Sequence, residues 1–401
     1  MQWVIGHRVA HRSSPIAYRP SPIAYRLSPI AYRLLAIGYR PLRRHGSHVN
    51  SPVLVTGGAG FIGSHLVERL LAEGESVVVL DDLSTGDLRN LQAVATHPHL
   101  KIIHGQVSSH PGLKELVAGC SFVFHLAAAV GVELVVNSPI RTIETNLRET
   151  EAVLVAAAAG GIPLLLTSTS EVYGKSTRGE FSEEDDLLIG APTLGRWSYA
   201  CSKLMDEFLA LAYMRERGLP VIVVRLFNTV GPRQTGRYGM VLPRFVRSAV
   251  SGDPLRVYGD GEQSRCFCHV ADTVEALRRL QGTPAARGEI INIGNNQPIT
   301  IRNLAQRVRE LTHSASLIET VPYEAAYAAG FEDMRQRRPA LAKLERLTGF
   351  RPHRPLDDII REVAEEQRRL GIDSRRHGEF VTTEAQGHRG TETERKPQRP
   401  T

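Results

Sequence analysis

The sequence predicts an α/β fold: a doubly wound parallel sheet followed by a smaller α/β C-terminal lobe. Three observations carry this. Short apolar runs alternate with helical stretches from Val53 onward, a glycine-rich turn joins the first run to the first helix, and the pattern becomes irregular after about Gly231.

The runs that read as strands are Val53–Thr56, Val77–Leu80, Lys101–His104, Phe122–Leu126, Leu164–Thr167 and Val221–Leu226. Between them helical periodicity is clearest at Phe61–Ala72, Pro139–Ala159 and Tyr199–Arg217. After Gly231 come a Pro/Gly-rich segment, a helix near Leu242–Ser251, a short strand at Arg256–Tyr258 and helices at Ala271–Leu280, Ile301–Leu311 and Ala340–Leu347. That lobe is expected to cover the carboxyl ends of the strands, where open α/β sheets bind ligands. The expected division is a basic leader at 1–50, a nucleotide-binding domain at 51–230, a mainly substrate-binding lobe at 231–373 and a flexible polar tail at 374–401.

The leader carries a tandem heptapeptide, Ser14-Pro-Ile-Ala-Tyr-Arg-Pro20, repeated from Ser21 and Ser28 with a degenerate copy ending at Pro41. A proline every seven residues forbids a continuous helix, so the segment reads as disordered, and Val49 is a candidate alternative start. The leader also explains the charge. The 401-residue chain has a formal net charge of +7, but its first 50 residues hold eight arginines and no acidic residue; the remainder carries 41 basic against 42 acidic side chains. The body is near neutral, which argues against a nucleic-acid partner. Four irregularly spaced cysteines make no disulfide framework and fit a reducing cytoplasm; the Cys266-Phe-Cys268 pair lacks zinc-site spacing, so no metal is expected. No apolar run reaches 18 residues, and no membrane span is expected.

In Val53-Leu-Val-Thr-Gly57-Gly-Ala-Gly60-Phe61-Ile62-Gly63, a strand, a glycine turn and a helix start follow in the order that a dinucleotide site of the Rossmann type requires. Gly57 permits the turn, Gly60 lets the backbone approach a pyrophosphate, and Gly63 allows close helix packing, with the helix N-terminus facing the negative charge. Asp81, at the end of the second strand, stands where a carboxylate accepts from ribose hydroxyls and repels a 2′-phosphate, so the expected cofactor is NAD.

Two further segments carry chemistry: Thr167-Ser-Thr169-Ser170-Glu171-Val-Tyr173-Gly174 and Tyr199-Ala-Cys-Ser-Lys203. Tyr199 and Lys203, four residues apart, share a helix face. A phenol that acts as base near pH 7 needs its pKa lowered by about 3 units, or roughly 4 kcal/mol, a shift expected from Lys203 and a positive nicotinamide ring.

These motifs, with His125-Leu-Ala-Ala, Arg225-Leu-Phe-Asn228-Thr-Val-Gly231-Pro-Arg233, Tyr258-Gly-Asp-Gly261-Glu-Gln-Ser-Arg265 and Arg335-Gln-Arg337-Arg338-Pro339, resemble the extended short-chain dehydrogenase/reductases of the NAD-dependent epimerase/dehydratase family. The resemblance runs from about Val53 to about Ile360. It implies Tyr199 as acid/base, Lys203 as its partner and cofactor clamp, Thr169 as the hydroxyl on the reacting sugar oxygen, and Asn228 and Arg265 on the sugar diphosphate. It also implies a homodimer through the helices at Pro139–Ala159 and Tyr199–Arg217. Gln106 and Ala340 depart from the family pattern, where aspartates are usual.

The resemblance further implies transient oxidation at carbon 4 of a UDP-sugar. Ser170 in place of an aspartate argues against a 4,6-dehydratase. Glu171 and Arg337 are similar to residues that take part in UDP-glucuronate decarboxylases, whereas Gly231–Met240, with Arg237 as a carboxylate grip, is similar to UDP-glucuronate 4-epimerases. The first expectation is the 4-epimerase making UDP-galacturonate. A decarboxylase making UDP-xylose, a UDP-glucose 4-epimerase and a non-catalytic NAD-binding regulator are the alternatives.

Overall fold

The computed structural model describes residues 51–129, 138–235, 240–322 and 334–386. The leader, Arg237 and residues 387–401 lie outside the described residues. In chain order the elements that build the molecule are β1 (Val53–Thr56), α1 (Phe61–Ala72), β2 (Val77–Asp81), β3 (Leu100–His104), α2 (Leu113–Ala118), β4 (Phe122–His125), α3 (Pro139–Gly160), β5 (Leu164–Thr169), α4 (Ser198–Arg217), β6 (Val221–Leu226), β7 (Thr229–Val230), α5 (Val241–Ser251), β8 (Leu255–Tyr258), β9 (Ser264–Cys266), β10 (Cys268–His269), α6 (Val270–Gln281), β11 (Ile290–Ile293), β12 (Pro298–Thr300), α7 (Ile301–Thr312), β13 (Ile318–Val321), α8 (Ala342–Thr348) and α9 (Leu356–Gln386).

Seven parallel strands form the central sheet in the order β11-β6-β5-β4-β1-β2-β3. The strand order reverses between β1 and β4, which opens a crevice at their carboxyl ends. Both faces of the sheet are covered, so β1, β2 and β4 read as continuous apolar runs rather than alternating ones. On one face Leu66 and Leu70 of α1 pack with Val274 and Leu277 of α6. On the other, Val153, Leu154, Ala156 and Ala157 of α3 pack with Ala210 of α4. The alanine run thus turns its first two members toward Leu54, Val123 and Leu166 of the sheet.

The segment from Gly231 onward is not one lobe. α6 and β11 return to the nucleotide-binding half, with β11 pairing in parallel with β6 as the sheet's edge. The remaining part has its own core, in which Leu242 and Phe245 of α5, Leu255 and Val257 of β8, Leu304 and Val308 of α7, and Ile359 and Ile360 of α9 meet. The last helix continues to Gln386, past the tail boundary expected at 374. Among the described residues no helix is long and apolar enough to cross a membrane.

Candidate active site

One cavity of about 990 Å³ lies over the strand ends. All the candidate residues except Arg237, which is outside the described residues, line it: Gly57, Gly60, Phe61, Ile62, Gly63, Asp81, Thr169, Glu171, Tyr199, Lys203, Asn228, Arg265 and Arg337. The cavity joins a half made by the β1–α1 turn to a half that carries most of the arginines.

The turn is shaped by absent side chains. Gly57 has φ +71°, and a Cβ there would come within 2.8 Å of the Ala127 backbone nitrogen. A Cβ on Gly63 would lie 2.1 Å from the Gly57 carbonyl oxygen, so Gly63 protects the turn itself as much as the helix–strand contact. Asp81, buried at the end of β2, accepts from the Ala59 and Leu83 backbone N–H groups at 2.8 Å each. Burial pushes its carboxyl up while those two hydrogen bonds pull it down. This cradle fits a dinucleotide: bare backbone where a pyrophosphate would lie, and a carboxylate where ribose hydroxyls would donate.

At the centre, Thr169 closes β5. Its hydroxyl accepts from the Glu171 backbone N–H and hydrogen-bonds the Tyr199 phenol. A short 3-10 turn, Ser170–Tyr173, then presents Glu171. Behind it runs a buried polar chain. Ser168 Oγ donates to Glu207 at 2.5 Å, Glu207 pairs with Arg225 at 2.8 Å, Arg225 lies 4.8 Å over the Tyr173 ring, and Tyr173 Oη donates to Asn292 of β11 at 2.8 Å. This chain ties the 3-10 turn to β6, α4 and the sheet edge, which gives Glu171 a rigid base.

Glu171 meets one guanidinium per oxygen: Arg196 Nη1 donates to Oε2 at 3.1 Å and Arg337 Nη1 to Oε1 at 3.3 Å. Burial pushes its carboxyl up, but Arg337 and then Arg196 outweigh that and hold it at about 2. The Tyr199 phenol stands above its ordinary value, because it is buried and because Glu171 is negative. The lowering expected from the sequence concerns a site that also holds the nicotinamide ring; burial and Glu171 add an opposing push that the sequence reading did not weigh. Lys203 is itself buried and held by Asp206 at 2.8 Å. NAD, when bound, would supply a hydride acceptor that carries a positive ring.

In the other half, Asn228 Nδ2 donates to the Cys266 carbonyl at 3.2 Å, and Arg265 Nη1 donates to the Ser264 carbonyl at 2.8 Å. The sequence reading missed Arg196, Arg244 and Arg256, which also line the cavity. Arg244 lies 4.9 Å over the Tyr258 ring and donates to its hydroxyl at 2.6 Å. The one available signal was for Arg196: it precedes Tyr199 by three residues, about one helical turn, which puts both on one side. Five arginines with one carboxylate, Glu171, make this half suited to a polyanion. Among the described residues no group of three His, Cys, Asp or Glu side chains is placed to hold a metal ion.

Comparison with known proteins agrees with this geometry. A profile of the NAD dependent epimerase/dehydratase family matches residues 53–294. The UDP-N-acetyl-alpha-D-glucosaminuronate decarboxylase of Bacillus cytotoxicus is 42% identical over 321 residues, covering 80% of this chain and 98% of that protein. UDP-glucuronic acid decarboxylase 1 of Danio rerio is 34% identical over 312 residues, covering 78% of this chain and 71% of that protein. Among solved structures, the dTDP-glucose 4,6-dehydratase of Bacillus anthracis in complex with NAD superposes with a TM-score of 0.70 at 28% identity, covering 79% of this chain and 96% of that one.

Proposed function

The chain belongs to the NAD-dependent epimerase/dehydratase family, and from that premise we propose that it decarboxylates a UDP-hexuronic acid through a 4-keto sugar. The observation that carries the reading is Glu171, fixed between Arg196 and Arg337 beside the Thr169–Tyr199 pair. Two guanidiniums at this wall suit a sugar that bears a carboxylate. Glu171, ionised across the neutral range, raises the energy of a second carboxylate pressed against it but not that of neutral carbon dioxide. Two relatives whose names are those of uronate decarboxylases support the same fate. It takes precedence over the 4-epimerase expected first from the sequence, whose argument rested on Arg237.

Tyr199 takes the proton from the sugar's O4, and Thr169 holds that oxygen in line. Oxidation at carbon 4 makes the uronate a β-keto acid; when its carbon–carbon bond to the carboxylate stands perpendicular to the carbonyl plane that bond breaks, its electron pair passes into the carbonyl as an enolate, carbon dioxide leaves, and carbon 5 takes a proton from water. Asn228, Arg265 and Arg244 hold the nucleotide diphosphate, so the sugar cannot leave before the carbonyl is reduced again.

Purified protein with NAD should release carbon dioxide stoichiometrically from UDP-glucuronate or from UDP-N-acetylglucosaminuronate, with a UDP-pentose as the product. UDP-galacturonate formed without gas would restore the 4-epimerase; interconversion of neutral UDP-hexoses alone would move the substrate class.

The working form is proposed to be a homodimer. Ile140 and Ile143 of α3 and Met205 and Phe208 of α4 are exposed apolar side chains on adjacent helices, and a second copy would cover them as a four-helix bundle. Light scattering of the wild type against Phe208→Glu checks this: a dimer that becomes a monomer supports it, and a wild-type monomer sinks it.

A further inference from the structure

We propose that Arg196 is a positioning residue that, with Arg337, locks Glu171 in place as a carboxylate against the Thr169–Tyr199 pair. The inference rests on the uronate reading of this site, since it concerns the charge at the wall where an acidic sugar would lie.

The three charged groups come from separate parts of the chain: the 3-10 turn after β5, a second 3-10 turn at Gly195–Trp197 that runs directly into α4, and the segment after Met334. Arg196 does not reach Glu171 as a mobile surface side chain. It is 8% exposed, and its guanidinium carbon lies 5.0 Å over the Trp197 ring. Trp197 is itself buried, and it occupies the space that a side chain at position 190 would need: a Cβ on Gly190 would lie 2.0 Å from Trp197 Nε1. Gly190, Trp197 and Arg196 thus form a stack that ends on Glu171.

Each guanidinium takes a different oxygen, so Arg337 alone would leave Oε2 without its cation. A half-buried carboxylate in that state binds a proton more readily, and a protonated Glu171 would no longer raise the energy of a neighbouring carboxylate. The same charge also reaches the Tyr199 phenol and pushes it up, an effect that opposes its work as a base, so the loss expected on removing Arg196 comes from the charge at the substrate wall and not from Tyr199. Arg196 therefore acts on the reaction through Glu171, without contact to the reacting atoms.

The test compares Arg196→Met and Arg196→Lys in wild-type and Glu171→Gln backgrounds, in the full chain loaded with NAD. With whichever UDP-uronate is turned over, Arg196→Met should lower kcat by about 30-fold and leave KM within about 3-fold. It should also bring an acid limb into the kcat profile between about pH 5 and 7 that the wild type lacks. Arg196→Lys should recover much of kcat and move the limb back down. In the Glu171→Gln background the Arg196→Met change should cost less than about 2-fold. An equal loss of kcat in both backgrounds with no new limb would reduce Arg196 to a helix support, and a KM raised about 10-fold would make it a substrate contact; either result overturns the proposal.

A second readout needs no turnover. Glu171 has a lowered folded-state value, so its stabilising effect is present above the ordinary carboxylate range near 4.5 and fades as pH falls toward about 2. The melting-temperature advantage of the wild type over Glu171→Gln should follow that course, whereas with Arg196→Lys or Arg196→Met it should fade at higher pH. If no uronate is a substrate, the function proposed above fails while this measurement still decides the role of Arg196: an advantage that fades at the same pH in all backgrounds refutes it.

Discussion

The two halves of the cavity are built from different materials. The cofactor half is mostly backbone: glycines at 57, 60 and 63, with Asp81 fastened to the N–H of Ala59 in that turn and to the N–H of Leu83 just after its own strand. The sugar half is mostly side chain: arginines at 196, 244, 256, 265 and 337, drawn from segments far apart in sequence. A backbone surface has little room for substitution, since any new Cβ occupies ligand or turn space. A side-chain surface is altered one charge at a time, with graded effects.

That contrast is most exposed at Gly63. Gly63→Val should abolish NAD binding altogether, read by calorimetry, because a Cβ there meets the Gly57 carbonyl oxygen at 2.1 Å and the turn must open. A variant that binds NAD normally would break the distinction. Tyr199→Phe comes next. It should lower kcat by roughly 10³-fold, as expected for loss of a general base, and leave NAD affinity unchanged, which assigns the phenol to the sugar chemistry. Arg265→Met should raise the UDP-sugar KM by about 10-fold or more, in line with one lost charge-assisted contact, and leave NAD affinity alone. The smallest effect is expected at Asp81, the charged exception in the cofactor half. Asp81→Asn should weaken NAD by about 5-fold and narrow its advantage over NADP, since the 2′-phosphate no longer meets a carboxylate. Parallel titrations with the two cofactors measure that ratio.

The same contrast explains what was legible in the sequence. The cofactor half could be read because its parts are neighbours: strand, turn and helix lie within Val53–Ala72, and Asp81 ends the next strand. Tyr199 and Lys203 were legible through helical spacing. Arg244 was not, because a lone arginine on a helix carries no mark of the partner that it meets in the fold, and the three-residue spacing of Arg196 from Tyr199 says nothing of Glu171. The upward push on Tyr199 was missed for a related reason: burial and the Glu171 charge are properties of the assembled site. The edge strand Ile290–Ile293 was passed over because four residues give little periodicity, and its partner is the distant Val221–Leu226. The outcome of the Ala156–Ala159 run depended on which helix face met the sheet, and composition alone leaves that open.

The segment that carries Glu171 rests on a small separate core in which Val172, Tyr173, Phe181, Trp197, Ala200, Phe227 and Met334 pack together. The rings of Tyr173 and Phe181 stack at 4.8 Å, and Trp197 is the platform for Arg196. The platform and the turn that carries Glu171 therefore rest on one small apolar cluster, distinct from the large cores that flank the sheet and joined to it through the Ser168–Glu207–Arg225–Tyr173–Asn292 chain. Local opening of such a cluster needs less free energy than global unfolding. On gradual heating, turnover should consequently vanish while the cofactor is still bound and the far-ultraviolet spectrum is still native, so that heat inactivation of this protein begins as a loss of chemistry rather than a loss of shape.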